Sequence, residues 1–220
     1  MAKINNGHFG SYQGKIGAVT GRKRLGKFYI SQSITHNGSR TSLQLRAREV
    51  LTVASAFAGK LAKVVNETYA KRAGDGKTAL NVFTGEVARN AVIAEMQPNG
   101  TWVAEVQVDK VVLAKGNVPG ITNIRTTVSG GAMKFTWDGN VNADGALDSD
   151  MVNIVAVNRD NDQVIFLKND KEVKRSKGEV SFAYPKSWAD AEAVVYIYLK
   201  SAEAGKFSDS IYVGSIVLSE

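Results

Sequence analysis

The sequence predicts a mixed α+β chain built from a β-hairpin arm, an antiparallel helical hairpin and an antiparallel β-sandwich. Glycines at 7, 10, 14, 17, 21 and 26 argue against helix in the arm. From Thr41 the apolar residues take up a helical spacing, and beyond Gly120 the chain reads as short strands between turns. We therefore expect three domains, at residues 1–40, 41–115 and 116–220.

The arm is expected to form a hairpin with strands at 15–20 and 27–33. Gly21 to Gly26 would be its turn, which places Arg22, Lys23 and Arg24 together at the tip. Thr35 to Ser39 would follow as a loop with an Asn-Gly turn. A two-stranded hairpin is marginal alone, so this one needs the next helix or a neighbouring subunit to lie on.

Two helices are expected after the arm. The first runs from Thr41 to Thr68, about eight turns, on the spacing of Leu43, Ala47, Val50, Ala54, Phe57, Leu61, Val64 and Thr68. Thr41 or Ser42 would cap it, although no acid follows three residues later. The second runs from about Thr78 to Met96, and Gln97 to Gly100 ends the helical part. Extended chain is expected from Trp102 to Leu113.

The segment Gly116 to Gly120 is expected to join the helical hairpin to the sandwich. Trp137 and the alternating Val194, Tyr196 and Tyr198 would supply the core of the sandwich. Seven strands in about 100 residues favour this architecture. They are predicted at 121–128, 133–137, 151–158, 163–168, 179–183, 193–200 and 210–218.

Positive charge is concentrated at the start of the chain. The formal charge is +7 overall, with +8 in residues 1–50, +2 in 51–115 and −3 in 116–220. Such a cluster attracts a polyanion or an acidic protein face, and the alternative is a solvated surface without a partner. The candidate contact residues for an anionic partner are Arg22, Lys23, Arg24, Lys27, Arg40, Arg46 and Arg48.

No set of residues indicates an enzyme. The chain has no cysteine and two histidines, and it lacks a GxSxG elbow. Glu67, Glu86 and Glu95 have spacings that suit solvent-facing positions, so paired-carboxylate chemistry is not supported. We expect no catalytic residue, no cofactor, no metal and no small-molecule substrate.

Two segments resemble ligand motifs without completing them. Gly74 and Gly76-Lys77-Thr78 resemble a phosphate-binding loop, but Lys71 stands where the first glycine is needed. The loop with Asn140, Asn142 and Asp144-Gly145 has the spacing of a calcium loop, but Met151 occupies the twelfth position. Whether residues 140–150 bind calcium stays open.

The N-terminal residues contain no apolar region of signal-peptide length, and no apolar run is long enough to span a bilayer. We therefore expect no export by a signal peptide and no membrane partner.

The C-terminal half resembles the immunoglobulin or fibronectin type III sandwich. The segment VPGITNIRTTVSGGAMKFTW is similar to its first two strands with their buried Trp137, and VYIYLKSAEAGKFSDSIYVGSIVL is similar to its last two. These features are common to many adhesion and scaffold modules.

The whole chain resembles an uncharacterised family of proteins of about this length from Bacteroidota bacteria and their phages. The resemblance rests on MAKINNG, GKIGAVTG, Arg40-Thr41, Gln44, Arg48, GNVPG, Ser208, Ser210, Tyr212 and Gly214. The basic run Arg22 to Arg24 departs from it, because the family is commonly less basic there. The resemblance implies architecture and no catalytic residues.

The expected function is therefore a non-enzymatic structural or assembly protein, such as a phage virion component. Its expected location is the virion if the chain is phage-encoded, and otherwise the cytoplasm. Its arm and helices would make contacts with further copies or with other structural proteins. The alternative is a nucleic-acid-binding protein that contacts phosphates through the basic arm.

Overall fold

The computed structural model describes residues 2–3, 13–33, 40–74, 76–160, 163–167, 173–202 and 205–218. It divides the chain into two compact units, Met1–Leu45 and Arg46–Glu220. Helices and antiparallel strands both occur, so the predicted mixed α+β class is confirmed. The predicted loop at 35–39 and both histidines, His8 and His36, lie outside the described residues.

The first unit holds a four-stranded antiparallel sheet. Its strands are β1 (Ala2–Lys3), β2 (Gly14–Ile16), β3 (Val19–Arg24) and β4 (Lys27–Gln32), in the order β1-β4-β3-β2.

The turn between β3 and β4 consists of Leu25 and Gly26, with φ of 48° and 78°. A type I′ hairpin turn requires positive φ at both positions, and its twist matches that of the strands it joins. The predicted turn from Gly21 to Gly26 is therefore too long. Arg22 to Arg24 belong to β3 and lie along a strand, not together at a tip.

Helices α1 (Ser42–Lys60) and α2 (Ala62–Thr68) occupy the stretch predicted as one helix. Only Leu61, which is fully buried, separates them. A reciprocal capping box starts α1: the Gln44 amide donates to Thr41 Oγ1 at 3.4 Å, and the Thr41 amide donates to Gln44 Oε1 at 3.3 Å. The sequence has no acid at this position, but the glutamine supplies the acceptor.

Helix α3 (Ala79–Asn90) begins at the Thr78 cap, where the Asn81 amide donates to Thr78 Oγ1 at 3.1 Å. The prediction that this helix continues to Met96 is wrong. After Ala91 the chain forms β5 (Val92–Met96), which pairs with β6 (Trp102–Val106) in a hairpin. The Asn99-Gly100 turn and β-branched residues favour a strand there over a last helical turn.

In the described part of the chain beyond β6, seven further strands form two sheets. A three-stranded sheet has the order β11-β8-β7, and a four-stranded sheet has the order β10-β9-β12-β13. The strands are β7 (Thr122–Ser129), β8 (Ala132–Asp138), β9 (Met151–Asn158), β10 (Val164–Leu167), β11 (Glu179–Ala183), β12 (Glu192–Lys200) and β13 (Ile211–Val217). Each coincides with a predicted segment to within two residues.

One face of the four-stranded sheet shares a hydrophobic core with the three-stranded sheet. Trp137 of β8 lies in this core, as the sequence predicts, together with Val195, Ile197 and Leu199 of β12. Trp188 is buried in the same core and donates its Nε1–H to Gln163 at 2.8 Å.

The opposite face of the same sheet packs on the helices. Val194, Tyr196 and Tyr198 of β12 cluster there with Leu61 and Phe83. Their predicted place in the core between the two sheets is therefore wrong. Side chains alternate along a strand, and here both sets are buried because each face of β12 has a covering layer.

The segment between the helices and β7 is fixed by hydrogen bonds to α2 and to the residue that precedes β13. Thr68 Oγ1 donates to the Leu113 carbonyl at 2.7 Å, and Ser210 Oγ accepts from the Leu113 amide at 2.7 Å. Residues 46–115 and 116–220 thus share one core and one compact unit, whereas the sequence predicts a junction at Gly116 to Gly120.

A buried ion pair holds the loops at one end of the two sheets. Arg175 and Asp150 are both fully buried, with Nη2 and Oδ2 3.0 Å apart. The guanidinium also donates to the Gly139 carbonyl at 2.8 Å and to the Pro119 carbonyl at 2.6 Å. Trp137 Nε1 donates to the Arg175 carbonyl at 3.0 Å. One residue therefore ties three loops to the core.

Candidate functional site

The whole formal charge of the chain belongs to its first unit. Met1–Leu45 contains seven of the 28 Lys and Arg residues and no Asp or Glu. The 21 basic residues of Arg46–Glu220 equal the 21 acidic ones, so the second unit has no net charge. A field of one sign is concentrated on a short segment, and such a field attracts partners of the opposite sign.

The register of the first sheet gathers cations on one face. Arg22 lies opposite Tyr29, and Arg24 lies opposite Lys27. Lys15 lies opposite Thr20, two residues before Arg22. Directly opposed residues share a face, and residues two apart on a strand share it too. We call the side that carries Lys15, Arg22, Arg24, Lys27 and Tyr29 the basic face.

The other side of the sheet is mainly apolar. Val19, Phe28 and Ile30 share it with Ile16, which is 62% exposed. Lys23 also lies on this side, with its Nζ 5.4 Å from the centre of the Phe28 ring, the geometry of a cation–π contact. We call this side the apolar face. The structure thus removes Lys23 from the predicted basic cluster and adds Lys15.

The sheet has almost no interior of its own. Among residues 13–33, only Gly21 is buried, and the remaining side chains are exposed or half-buried. Small sheets need a packed face for independent stability. The described part of this unit therefore lacks a core of its own.

The other predicted contact residues lie around the start of α1. Arg40 precedes the helix and is exposed. Arg46 and Arg48 are exposed residues of the second unit, and the Arg46 guanidinium lies 5.8 Å from the centre of the Trp102 ring. The first turn of α1 holds no acidic residue. The structure does not assign Arg46 and Arg48 to the unit that carries the basic face.

A comparison with protein families matches residues 11–214 to DUF6266, a family of unknown function. The chain belongs to this family. The match spans most of both units, so it agrees with the predicted membership of an uncharacterised family. No curated protein matches the chain, and the family carries no assigned activity that would transfer to its residues.

The two incomplete ligand motifs have structural roles here. Thr78 of the glycine-lysine segment caps α3, and Asp150 at the end of the 140–150 loop binds Arg175. Within the described ranges, no three His, Cys, Asp or Glu side chains are grouped as metal ligands. Over the same ranges, no helix has the length and hydropathy needed to cross a membrane.

Proposed function

We propose that this chain is a non-enzymatic assembly protein whose first unit docks onto further copies of the chain. The observation that carries the proposal is that no side chain of residues 13–33 is buried, although these residues form three strands in antiparallel register. Such a sheet is stabilised when its apolar face is covered. The apolar face, with Val19, Phe28 and Ile30, supplies the contact.

The second unit supports a scaffold role. Its two sheets have the strand orders β11-β8-β7 and β10-β9-β12-β13. With β7 taken as the first strand, these resemble the two sheets of a fibronectin type III or immunoglobulin-like sandwich, an architecture used by many adhesion modules. The resemblance to proteins of Bacteroidota and their phages suggests the virion as the setting.

Self-association is tested at an exposed position of the apolar face. We expect sedimentation velocity to show oligomers that grow with concentration for the natural chain and a monomer for Ile16→Glu, because a carboxylate cannot be buried there without a partner. Val217→Glu is the matched control, since Val217 is 65% exposed on β13 of the second unit.

A natural chain that stays monomeric at high concentration contradicts this proposal. Equal loss of association in both variants contradicts the assignment to the apolar face. Mass spectrometry of purified phage particles tests the virion setting separately, and absence of the chain from them removes that setting.

The basic face favours a second function, the binding of nucleic acid. Four cations on one side of a sheet, with Tyr29 among them, form a surface suited to phosphates and to a stacked base. Affinity for duplex DNA should then fall with salt, with a log-log slope near −0.9 for each phosphate that is neutralised.

Two adjacent residues provide a matched test of nucleic-acid binding. Arg22→Gln should reduce the salt slope by about 1, because Arg22 lies on the basic face. Lys23→Gln removes the same charge from the opposite side and should change the slope far less. Fluorescence anisotropy with labelled duplex over a range of salt concentrations measures both. A flat salt response, or equal effects of the two variants, excludes this function.

A further inference from the structure

A cleft of 780 Å³ opens in the second unit, beside the 3₁₀ turn Ala70–Arg72 and the end of β12. Its volume falls in the range of small-molecule sites, about 300–1,000 Å³. Five cationic side chains and one carboxylate are among its lining residues. They are Lys71, Arg72, Lys115, Lys200, Lys206 and Glu67.

Two of the lysines are held in place by ion pairs. Lys200 Nζ is 2.6 Å from Glu67 Oε1, and Lys115 Nζ is 2.6 Å from Glu86 Oε2. All four side chains are less than one third exposed, so solvent screens these pairs less than surface pairs. The pairs offset the two carboxylates and fix two ammonium groups at the wall of the cleft.

Lys71 and Arg72 supply two further cations to the cleft. Both are exposed at the mouth of the cleft, and neither has an ion pair in the described part of the chain. The Lys71 side chain lies over Gly205: a Cβ at Gly205 would come within 2.8 Å of Lys71 Cε. The Arg72 amide donates to the Tyr69 carbonyl at 2.9 Å, which fixes the turn.

The inner wall of the cleft is apolar, and the two chain segments that form it are in close backbone contact. Val118 and Phe207 are buried there, and the Val118 amide donates to the Phe207 carbonyl at 3.1 Å. A Cβ at Gly116 would lie 1.9 Å from that carbonyl oxygen, so only glycine permits the close approach of the two segments. The cleft thus combines a rigid apolar wall with a cationic mouth.

We propose that this cleft binds a small oxyanion ligand, one that carries phosphate or carboxylate groups. Lys71 and Arg72 contact the anionic groups, and a guanidinium can hold either group with two parallel hydrogen bonds. The apolar wall receives the rest of the ligand. This site lies wholly within the second unit and is independent of the proposed role of the first.

Isothermal titration calorimetry on the full chain tests the proposal with two probes, pyrophosphate and citrate. We expect saturable binding of at least one probe at one site per chain. Lys71→Gln/Arg72→Gln should weaken this binding by tenfold or more, as expected for the loss of two charged hydrogen-bonding groups. Binding of pyrophosphate alone assigns the site to phosphate ligands, binding of citrate alone assigns it to carboxylates, and binding of both supports the shared chemistry.

Two control variants separate the cleft from general charge effects. Lys177→Gln/Lys186→Gln removes the same charge at two exposed positions outside the cleft and should keep the natural affinity. Arg22→Gln/Arg24→Gln removes two positive charges from the basic face and should also keep the natural affinity. A melting curve checks that each variant is folded. Absence of saturable binding for both probes, or an equal loss in either control, overturns the proposal.

Discussion

Arg175 carries a buried charge whose partners come from two other loops, the segment before β7 and the loop between β8 and β9. Its guanidinium is paired with Asp150 and donates to three backbone carbonyls, and the side chains of Arg175 and Asp150 have no exposed surface. A buried charge that loses its partner is costly, because no water is present to solvate the remaining ion. The position of the loop from Gly139 to Asp150 therefore depends on the side chain of Arg175.

Arg175→Met should lower the free energy of unfolding by about 3–5 kcal/mol, since it leaves the Asp150 carboxylate buried without a cation. Urea denaturation followed by circular dichroism measures this. Arg175→Met/Asp150→Leu leaves no charge behind and should recover part of the loss. A double variant less stable than the single one would contradict this account.

Two tyrosines of β12, Tyr196 and Tyr198, and Tyr69 at the end of α2 have hydroxyl groups in the core or at its margin. Burial is the main cause that raises the pKa of Tyr196 above its ordinary value, followed by the nearby Tyr212. Burial also raises the pKa of Tyr69, with Glu86 as the next cause, and that of Tyr198, with Glu67 next. In the folded chain these groups keep their protons at pH values where an unfolded tyrosine loses its own.

The contribution of these tyrosines to the free energy of unfolding should therefore be fully present below about pH 10. It should be lost as the pH rises above this value, since ionisation then favours the unfolded state. Each such tyrosine contributes up to about 1.4 kcal/mol per pH unit in that range. Tyr196→Phe should therefore reduce the loss of stability with rising pH by up to about 1.4 kcal/mol per pH unit. The variant also leaves the Val108 carbonyl without its 2.7 Å hydrogen bond, which costs about 1 kcal/mol at neutral pH. Unfolding curves between pH 8 and 11 measure both effects, and an unchanged pH slope would contradict the assignment.

Strand β12 has two buried faces, and the pattern of its sequence indicates this. Glu192–Lys200 reads EAVVYIYLK, a continuous apolar run of the kind found in strands covered on both sides. The prediction of an alternating pattern considered only one set of side chains. The run indicates that both faces are covered, but it does not indicate by which layers.

Val194→Ala and Val195→Ala should each destabilise the chain by about 1–3 kcal/mol, because each removes apolar volume from a filled core. Val217→Ala, at an exposed position of β13, should stay within about 0.5 kcal/mol of the natural chain. Chemical denaturation of the three variants gives the comparison. If only one β12 variant is destabilised, then only one face of β12 is covered.

Local patterns in the sequence locate the helices and the last seven strands well. The spacing from Leu43 to Thr68 predicts α1 and α2 because the pattern lasts long enough to exclude a strand. Strand β5 is missed because Ala91 and Ala94 continue the helical spacing of α3 for one more turn. Short segments are decided by their pairing partner, here β6, which the local pattern does not reveal.

The basic face is harder to predict because it depends on register. A shift of one residue moves every side chain to the other side of a strand. The register of β3 and β4 is set by Leu25-Gly26, a pair without the usual Asn-Gly signal. Sequence reasoning therefore finds the basic cluster but not which of Arg22, Lys23 and Arg24 share a face. The cleft is not predictable in this way, since its cations come from separate parts of the chain.

Charge and core are distributed differently between the two units. Every buried apolar residue that the structure describes lies between Ala54 and Leu218, whereas the net charge lies entirely in residues 1–40. The second unit thus contains the core that supports cooperative folding. The first unit contributes the net positive charge and a sheet without a buried core in its described part.

A chain that begins at Thr41 should keep a cooperative unfolding transition close to that of the natural chain, because it retains both hydrophobic cores. It should lose its retention on a cation-exchange column at pH 7, since its formal net charge falls from +7 to zero. Calorimetry and chromatography measure the two properties. A non-cooperative transition, or unchanged retention, would contradict this division of roles.

The sheet β10-β9-β12-β13 lies between two hydrophobic cores, and this position sets the order in which parts of the second unit open. The backbone amides of β9 and β12 bond to neighbouring strands on both sides and lie between two apolar layers. Solvent reaches these amides only after a covering layer has separated from the sheet. Their hydrogens should therefore exchange at the rate of global unfolding, while those of the outer hairpin β5-β6 exchange through local opening.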